Sequence, residues 1–152
     1  MGPEERDRTH AASEAAEPVP VWTRIERFHR MLVGLLRELE ETTDPVRIRE
    51  LVGTLDRDMP GHFADEVAPG GLFEALATRR PASESILKCL RQDHREILGM
   101  LRSLHRRLEE MDPDDAGILE DKRAFVLRIR SHEQRENRLV TDTYLLDEGG
   151  LG

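Results

Sequence analysis

Four segments of this sequence repeat apolar residues with a period of about 3.6, and this repetition restricts the fold more than any other feature. The first segment shows it from Ile25 through Leu32 to Leu39. No stretch alternates between apolar and polar residues as a strand does. The chain has 152 residues, of which 36% are charged and 4% aromatic, as is typical of one helical domain. We therefore expect an all-α fold.

Turn signals divide the pattern into predicted helices. The first three cover 21–42, 45–67 and 82–110. The fourth begins at Pro113 and is stopped by Gly149 and Gly150. Asp44 and Asp112 each precede a proline, a helix start in which aspartate caps the first turn and proline needs no partner for its missing N–H. The segment 68–81 is predicted to be a connection. Val46 and Ile86 are expected on the apolar faces.

The remaining composition narrows the class of protein. Residues 1–20 lack apolar periodicity and are expected to form a disordered tail before a domain over 21–147, with no role for His10. The single cysteine, Cys89, is interpreted as a small apolar residue of a protein in a reducing cytoplasm. The sequence shows neither the pattern of a signal peptide nor an apolar run of the roughly 18 residues that a membrane span needs, so we expect no membrane segment. A net charge of −8 without a basic face argues against nucleic-acid binding.

A histidine interrupts the apolar stripe of every predicted helix, and two of these histidines are followed by a glutamate four residues later, in "GHFADE" (61–66) and "SHEQRE" (131–136). The six side chains are His29, His62, Glu66, His94, His132 and Glu136. Residues four apart on a helix differ by about 40° and about 6 Å, so histidine and glutamate face one volume. Short loops make neighbouring helices antiparallel, and the four histidines then fall within roughly two turns of one height. We expect the six side chains to meet at the bundle axis.

This cluster has the chemistry of a metal site. Two buried carboxylates repel each other and lose solvation unless they are protonated or paired with a cation. Two divalent cations would remove that cost, because each metal receives two imidazoles and each glutamate bridges the pair. Positions remain for a bridging oxygen and for a small external ligand. The donor set of nitrogen and oxygen without thiolate suits iron or manganese better than zinc.

Each of these residues also has a simpler interpretation, because a single histidine or His-x-x-x-Glu pair commonly lies in a core or on a surface. Other residues are expected outside the cluster. His105 lies about 16 Å too far along the axis, and Glu133 is rotated about 100° from His132. Tyr144 either packs in the core or approaches the open side of the site. The Pro60–Gly61 step is either a kink required by the site or a helix break.

In this order the six residues resemble the haemerythrin-like family, also called the HHE cation-binding domain. Its most typical local string is the "HFADE" that begins at His62. The resemblance covers 21–147. It implies an up-down-up-down four-helix bundle with two iron ions and a bridging oxo or hydroxo group. The four histidines would be terminal ligands, with Glu66 and Glu136 as bridges.

Two departures from the family pattern bear on function. Oxygen-carrying haemerythrins have a further histidine one turn after the ligand on the third helix, where this chain has Leu98. Relatives that repair iron centres usually carry an N-terminal domain with a cysteine, where this chain has a short tail. We therefore expect a di-iron protein that binds or reduces peroxide, O2 or NO under oxidative or nitrosative stress. The alternatives are a non-catalytic sensor or iron-binding module with a protein partner, including iron-centre repair, and a metal-free interaction domain.

Overall fold

The computed structural model describes residues 17–110 and 116–149, and nearly all of them are helical. The α-helices are α1 (Val21–Glu41), α2 (Pro45–Val67), α3 (Leu72–Arg79), α4 (Glu84–Glu110) and α5 (Ala116–Gly149). A 3-10 turn, Pro81–Ser83, leads into α4. The four long helices pack in the ring order α1, α2, α4, α5, with α5 returning to α1. The predicted all-α bundle of four helices is confirmed.

Some predictions fall on parts of the chain that the structure does not describe. Most of the predicted tail, including His10, lies outside the described residues, and so do the Asp112–Pro113 helix start and Gly150. Residues 17–20 have no regular secondary structure. In the described part of the chain, no helix combines the length and the apolar character that crossing a bilayer requires.

The predicted start of α2 is confirmed in detail. The side chain of Asp44 accepts a hydrogen bond of 3.1 Å from the backbone N–H of Val46, and Pro45 takes the first helical position. Val46 itself is 64% exposed, so its predicted place on the apolar face was wrong. The same holds for Ile86, which is exposed at the edge of the apolar stripe of α4.

Pro60 lies inside α2, which continues through it to Val67, so the alternative of a helix break is excluded. The proline ring has no N–H to donate to the Asp56 carbonyl one turn earlier. Pro60 and Gly61 are both exposed, and a Cβ on Gly61 would meet no atom within 4 Å. The irregular step therefore faces solvent and does not itself require glycine.

The segment 68–81 contains α3, a helix that the apolar pattern did not predict. Its residues Leu72, Phe73 and Leu76 are buried and close one end of the bundle. Gly71 begins the turn into α3 and donates its N–H to the Ala68 carbonyl at 2.8 Å. With eight residues, α3 is too short to show a helical stripe in sequence, and its burial depends on the ends of the long helices.

Two apolar clusters fill the bundle, and the histidines lie between them. Along α1, Ile25 belongs to the smaller cluster, His29 follows one turn later, and Leu32 belongs to the larger cluster. The same succession occurs on α4 with Leu90, His94 and Ile97. A polar level therefore crosses the bundle between the two clusters, with apolar packing above and below it.

Candidate metal centre

The structure brings together the six side chains predicted to meet. They lie at the polar level of the bundle and come from α1 (His29), α2 (His62, Glu66), α4 (His94) and α5 (His132, Glu136). The histidines form two pairs. The ring centres of His29 and His62 are 4.7 Å apart, and those of His94 and His132 are 4.9 Å apart. One pair joins the first two long helices, and the other joins the last two.

Glu66 lies between the two histidine pairs. Its Oε1 is 3.4 Å from Nε2 of His62 and 3.3 Å from Nε2 of His94. Its Oε2 is 3.6 Å from Nε2 of His29. The side chain is completely buried. Glu66 therefore offers carboxylate oxygens to both pairs at once.

Glu136 has the corresponding position on α5. Its Oε2 is 3.3 Å from Nε2 of His132, and its Oε1 is 3.3 Å from Nε2 of His29. It is buried as deeply as Glu66. Each glutamate thus contacts histidines of both pairs, which is the arrangement that a carboxylate bridge between two cations requires.

Many polar atoms of the cluster are buried without a hydrogen-bond partner. Among the residues that the structure describes, eleven buried side-chain nitrogen and oxygen atoms have no hydrogen-bond partner, and ten of them belong to this level of the bundle. They include Nε2 of all four histidines and both carboxylate oxygens of Glu66 and Glu136. An unsatisfied buried polar group costs about 1–3 kcal/mol, so ten together strongly disfavour an empty centre. A pair of cations fits these donors, because it satisfies them and balances the carboxylate charge.

Glu133 also belongs to the centre, which contradicts the prediction from its rotation. Its Oε2 lies 3.7 Å from Nε2 of His29, and its Oε1 is buried without a hydrogen-bond partner. One donor atom each from Glu133, His29 and His62 lie within 4.8 Å of one another. The rotation of about 100° from His132 does not remove Glu133 from the site, because it turns the side chain toward α1, from which His29 approaches.

Asp93 supports the centre from outside and was missed from the sequence. Its Oδ2 is 3.0 Å from Nδ1 of His132, so it orients the imidazole through the nitrogen that faces away from the glutamates. Arg128 and Arg135 each donate to Asp93, at 2.7 and 2.6 Å. A carboxylate behind a histidine is a common support in metal sites, where it fixes the tautomer and the direction of the ring. The sequence feature that could have indicated Asp93 is an acidic residue directly before His94.

Phenylalanine rings hold the imidazoles in place. Phe28 stacks on His62 with ring centres 4.1 Å apart, and Phe63 stacks on His94 at 3.9 Å. Phe73 of α3 covers His94 from another side, at 5.3 Å. The short helix at the end of the bundle therefore forms part of the wall around the His94–His132 pair.

Without metal, burial lowers the pKa values of the histidines and the neighbouring carboxylates raise them, and the balance differs from one histidine to the next. It lowers the pKa of His62 to about 3 and that of His94 to about 4, so both rings are neutral near pH 7 and keep a lone pair for a metal. Burial acts in the same direction on His29, but the carboxylates of Glu136 and Glu66 outweigh it and raise its pKa to about 10. Metal binding at neutral pH must therefore displace a proton from His29.

The three carboxylates of the centre have pKa values that are shifted in different directions. Burial raises the pKa of Glu66 well above its usual range. Burial acts likewise on Glu136, but His132, His29 and Glu66 outweigh it and lower its pKa. Burial and the charge of Glu136 raise the pKa of Glu133 to about 7. Without metal, protons thus partly take the place of cations, as expected where carboxylates crowd a site of low polarity.

An open cavity of about 550 Å³ lies between α1 and α5 and reaches the centre. His29 and Glu133 line it, and Leu32, Leu36 and Asn137 are among the other lining residues. His29 and Glu133 are also the most exposed side chains of the cluster, at 26% and 17%. The centre therefore has an approach from solvent on the side of the His29–His62 pair.

Other residues considered from the sequence lie elsewhere. His105 contacts Asp56 at 2.7 Å and is not part of the cluster, as predicted. Tyr144 packs with the smaller apolar cluster, and the guanidinium of Arg79 lies 4.5 Å from its ring centre. Leu98 is partly buried against the larger cluster. Cys89, interpreted from the sequence as a small apolar residue, is exposed.

A four-helix bundle with histidines and glutamates converging from facing helices defines a class of metal-binding helical proteins. Within this class, the chain belongs to the hemerythrin HHE cation binding domain family, whose model matches residues 21–143. Neither a curated protein nor a solved structure gives a significant match to the chain. Cation binding is thus the property that family membership and the buried His and Glu cluster indicate together.

Proposed function

We propose that the centre holds two iron ions and that the protein binds and reduces a small oxidant, with hydrogen peroxide as the substrate. The observation that carries the proposal is the position of Glu66 and Glu136, each between the His29–His62 pair and the His94–His132 pair. Each histidine pair would hold one ion, and the carboxylates of Glu66 and Glu136 between the pairs would complete both sites, which would use the unpaired buried donors.

The donor set favours iron. Each ion would receive two imidazole nitrogens and at least two carboxylate oxygens, with no thiolate, and a small oxygen ligand would raise the coordination number above the four that structural zinc prefers. When bound, an iron pair supplies two electrons to a small ligand and a coordination position to receive it. The protein supplies neutral imidazoles at His62 and His94, which burial keeps unprotonated.

The surroundings favour turnover over reversible oxygen carriage. Leu98 replaces the histidine that would be expected to fill a further position in an oxygen carrier and packs instead against the larger apolar cluster. The cavity between α1 and α5 admits small molecules to His29 and Glu133. Phe63 and Phe73 cover the opposite pair and restrict water there.

The test begins with the iron content of protein purified without added metal, for which we expect about two ions per chain, one for each histidine pair. Excess hydrogen peroxide is then added, and peroxide loss and oxygen release are followed. We expect many turnovers per site, with two peroxide molecules giving one oxygen and two water molecules. The His94→Ala variant should lose this activity. The matched control, His105→Ala, removes a histidine of the same helix that lies outside the cluster and should retain it.

Three outcomes would contradict the proposal. Less than about one turnover per site, with a stoichiometric spectral change, would identify a sensor, because a sensor responds to its ligand without consuming it. An oxygen adduct that forms in air and disappears under vacuum would identify a carrier. A protein without bound metal would remove the iron pair altogether.

A further inference from the structure

Glu133 breaks the symmetry of the centre. The four donors Glu66, His94, His132 and Glu136 form one group with all donor atoms within 4.8 Å of one another. The other group contains His29, His62 and Glu133. Since Glu66 and Glu136 also face His29, the His29–His62 side has one more carboxylate than the other side.

Asp93 does not restore the balance. It is the carboxylate adjacent to the His94–His132 pair, but its Oδ2 contacts Nδ1 of His132, the nitrogen that faces away from the glutamates. Two arginines, Arg128 and Arg135, hold it in that position. Asp93 therefore acts through His132 and is not placed to coordinate a cation.

The position of Glu133 suits a metal ligand. A single cation with bonds of about 2.1 Å places opposite donors about 4.2 Å apart, and the donors of Glu133, His29 and His62 need only small side-chain movements to satisfy that limit. The Oε1 atom of Glu133 is buried without a hydrogen-bond partner. A buried, unpaired carboxylate oxygen beside a cation site is stabilised when it coordinates the ion.

The position of Glu133 also suits a ligand that can leave. Glu133 lines the cavity between α1 and α5, whereas Glu66 and Glu136 are buried between the histidine pairs. A molecule that enters through this cavity meets Glu133 and His29 before it meets any other part of the centre.

We propose that Glu133 is a displaceable seventh protein ligand, bound to the ion of the His29–His62 pair on the side of the cavity, and that a small external anion binds by replacing its carboxylate. This inference rests on the proposed iron pair. External ligands would then bind at only one of the two ions, and every incoming anion would compete with the carboxylate of Glu133.

The experiment compares the wild type with Glu133→Gln and Glu133→Ala. The control is Glu41→Gln, which neutralises an exposed carboxylate lining the same cavity, at the end of α1. Thermal unfolding without metal first establishes that each variant folds. Iron affinity is then measured by competition with a chelator. At saturating iron, azide is titrated into the oxidised protein and followed by absorption.

We expect the weaker-bound iron of Glu133→Gln to lose affinity by on the order of 10- to 100-fold, the range found when groups that support metal sites are removed. Azide should bind the oxidised variant more tightly than the wild type, because no internal carboxylate competes. Glu133→Ala should change both quantities in the same direction, and Glu41→Gln should change neither.

Unchanged iron affinity in both Glu133 variants would overturn the assignment of Glu133 as a ligand. Unchanged azide affinity would overturn its displacement. In either case a wild type with two irons leaves the proposed function intact, whereas a wild type without an iron pair refutes the proposed function itself. The two failures are therefore distinguishable from one set of measurements.

Discussion

Replacing Asp93 by Ala should weaken both the fold and the metal centre, because this buried carboxylate joins three partners. Its contact with His132, whose side chain is fully buried, is a charge-assisted hydrogen bond worth about 1.5–3 kcal/mol. Arg128 and Arg135 are 24% and 45% exposed, so water replaces much of what they lose, and each contributes less than about 1 kcal/mol. We expect the free energy of unfolding without metal to fall by about 2–4 kcal/mol.

The assay is urea unfolding of the metal-free protein at pH 7, followed by chelator competition with iron. Metal affinity should fall by on the order of 10- to 100-fold, because Asp93 fixes the direction of the His132 ring. Glu96→Ala is the matched control. Glu96 also accepts from Arg128, at 2.5 Å, but it is half exposed and does not contact His132. We expect it to change stability by less than about 1 kcal/mol and to leave metal affinity unchanged.

If Asp93→Ala and Glu96→Ala lost the same small stability, the buried bond to His132 would have no special weight. If Asp93→Ala unfolded more easily but bound iron with wild-type affinity, Asp93 would support the helix packing alone. The first result would refute the energetic argument for that bond, and the second would refute the role of Asp93 in orienting a ligand.

Three further predictions follow from other contacts. Glu66→Ala should remove most bound metal, since it deletes one of the two carboxylates between the histidine pairs; two ions per chain in the purified variant would contradict this. The metal-free protein should lose stability between pH 7 and 10, because folded His29, with a pKa of about 10, keeps a proton that the unfolded chain has released above about pH 6.5. Melting curves of the metal-loaded protein should lack this fall. Gly71→Ala should destabilise by about 2 kcal/mol or more, since its Cβ would lie 2.3 Å from the Asp65 carbonyl oxygen, whereas Gly61→Ala should stabilise by about 0.5 kcal/mol in urea unfolding.

The long helices and the six converging side chains were predictable because both depend on local periodicity. A histidine inside an apolar stripe must face the bundle axis, and short loops between antiparallel helices bring such positions to one height. The fourth-residue spacing of His62 and Glu66 then fixes the side of the helix on which the carboxylate lies.

Glu133 and Asp93 were not predictable in the same way. Each is the sequence neighbour of a histidine in the cluster and is turned about 100° from it, toward an adjacent helix. What such a position contacts depends on which helix is adjacent and on how closely it approaches, and one helix alone does not contain this information. Glu133 meets His29 of α1, and Asp93 meets His132 of α5.

The edges of the apolar faces and the short helix α3 could not be predicted from the sequence for the same reason. Val46 and Ile86 are apolar residues near a stripe, but the packed surface of each helix ends before them. The helix α3 contributes Leu72, Phe73 and Leu76 to a core that exists only after the long helices have packed. Sequence periodicity describes one helix, whereas burial at its edges depends on the tertiary arrangement.

The stacking of phenylalanine rings on the imidazoles has a consequence for the energetics of ligation. Phe28 against His62 and Phe63 against His94 leave the two rings little freedom to change rotamer. Freezing one side chain on binding costs about 0.5–1.5 kcal/mol when it is mobile beforehand. Here that ordering is completed during folding, so the imidazoles are preorganised, and a cation gains nearly the full free energy of its bonds to them.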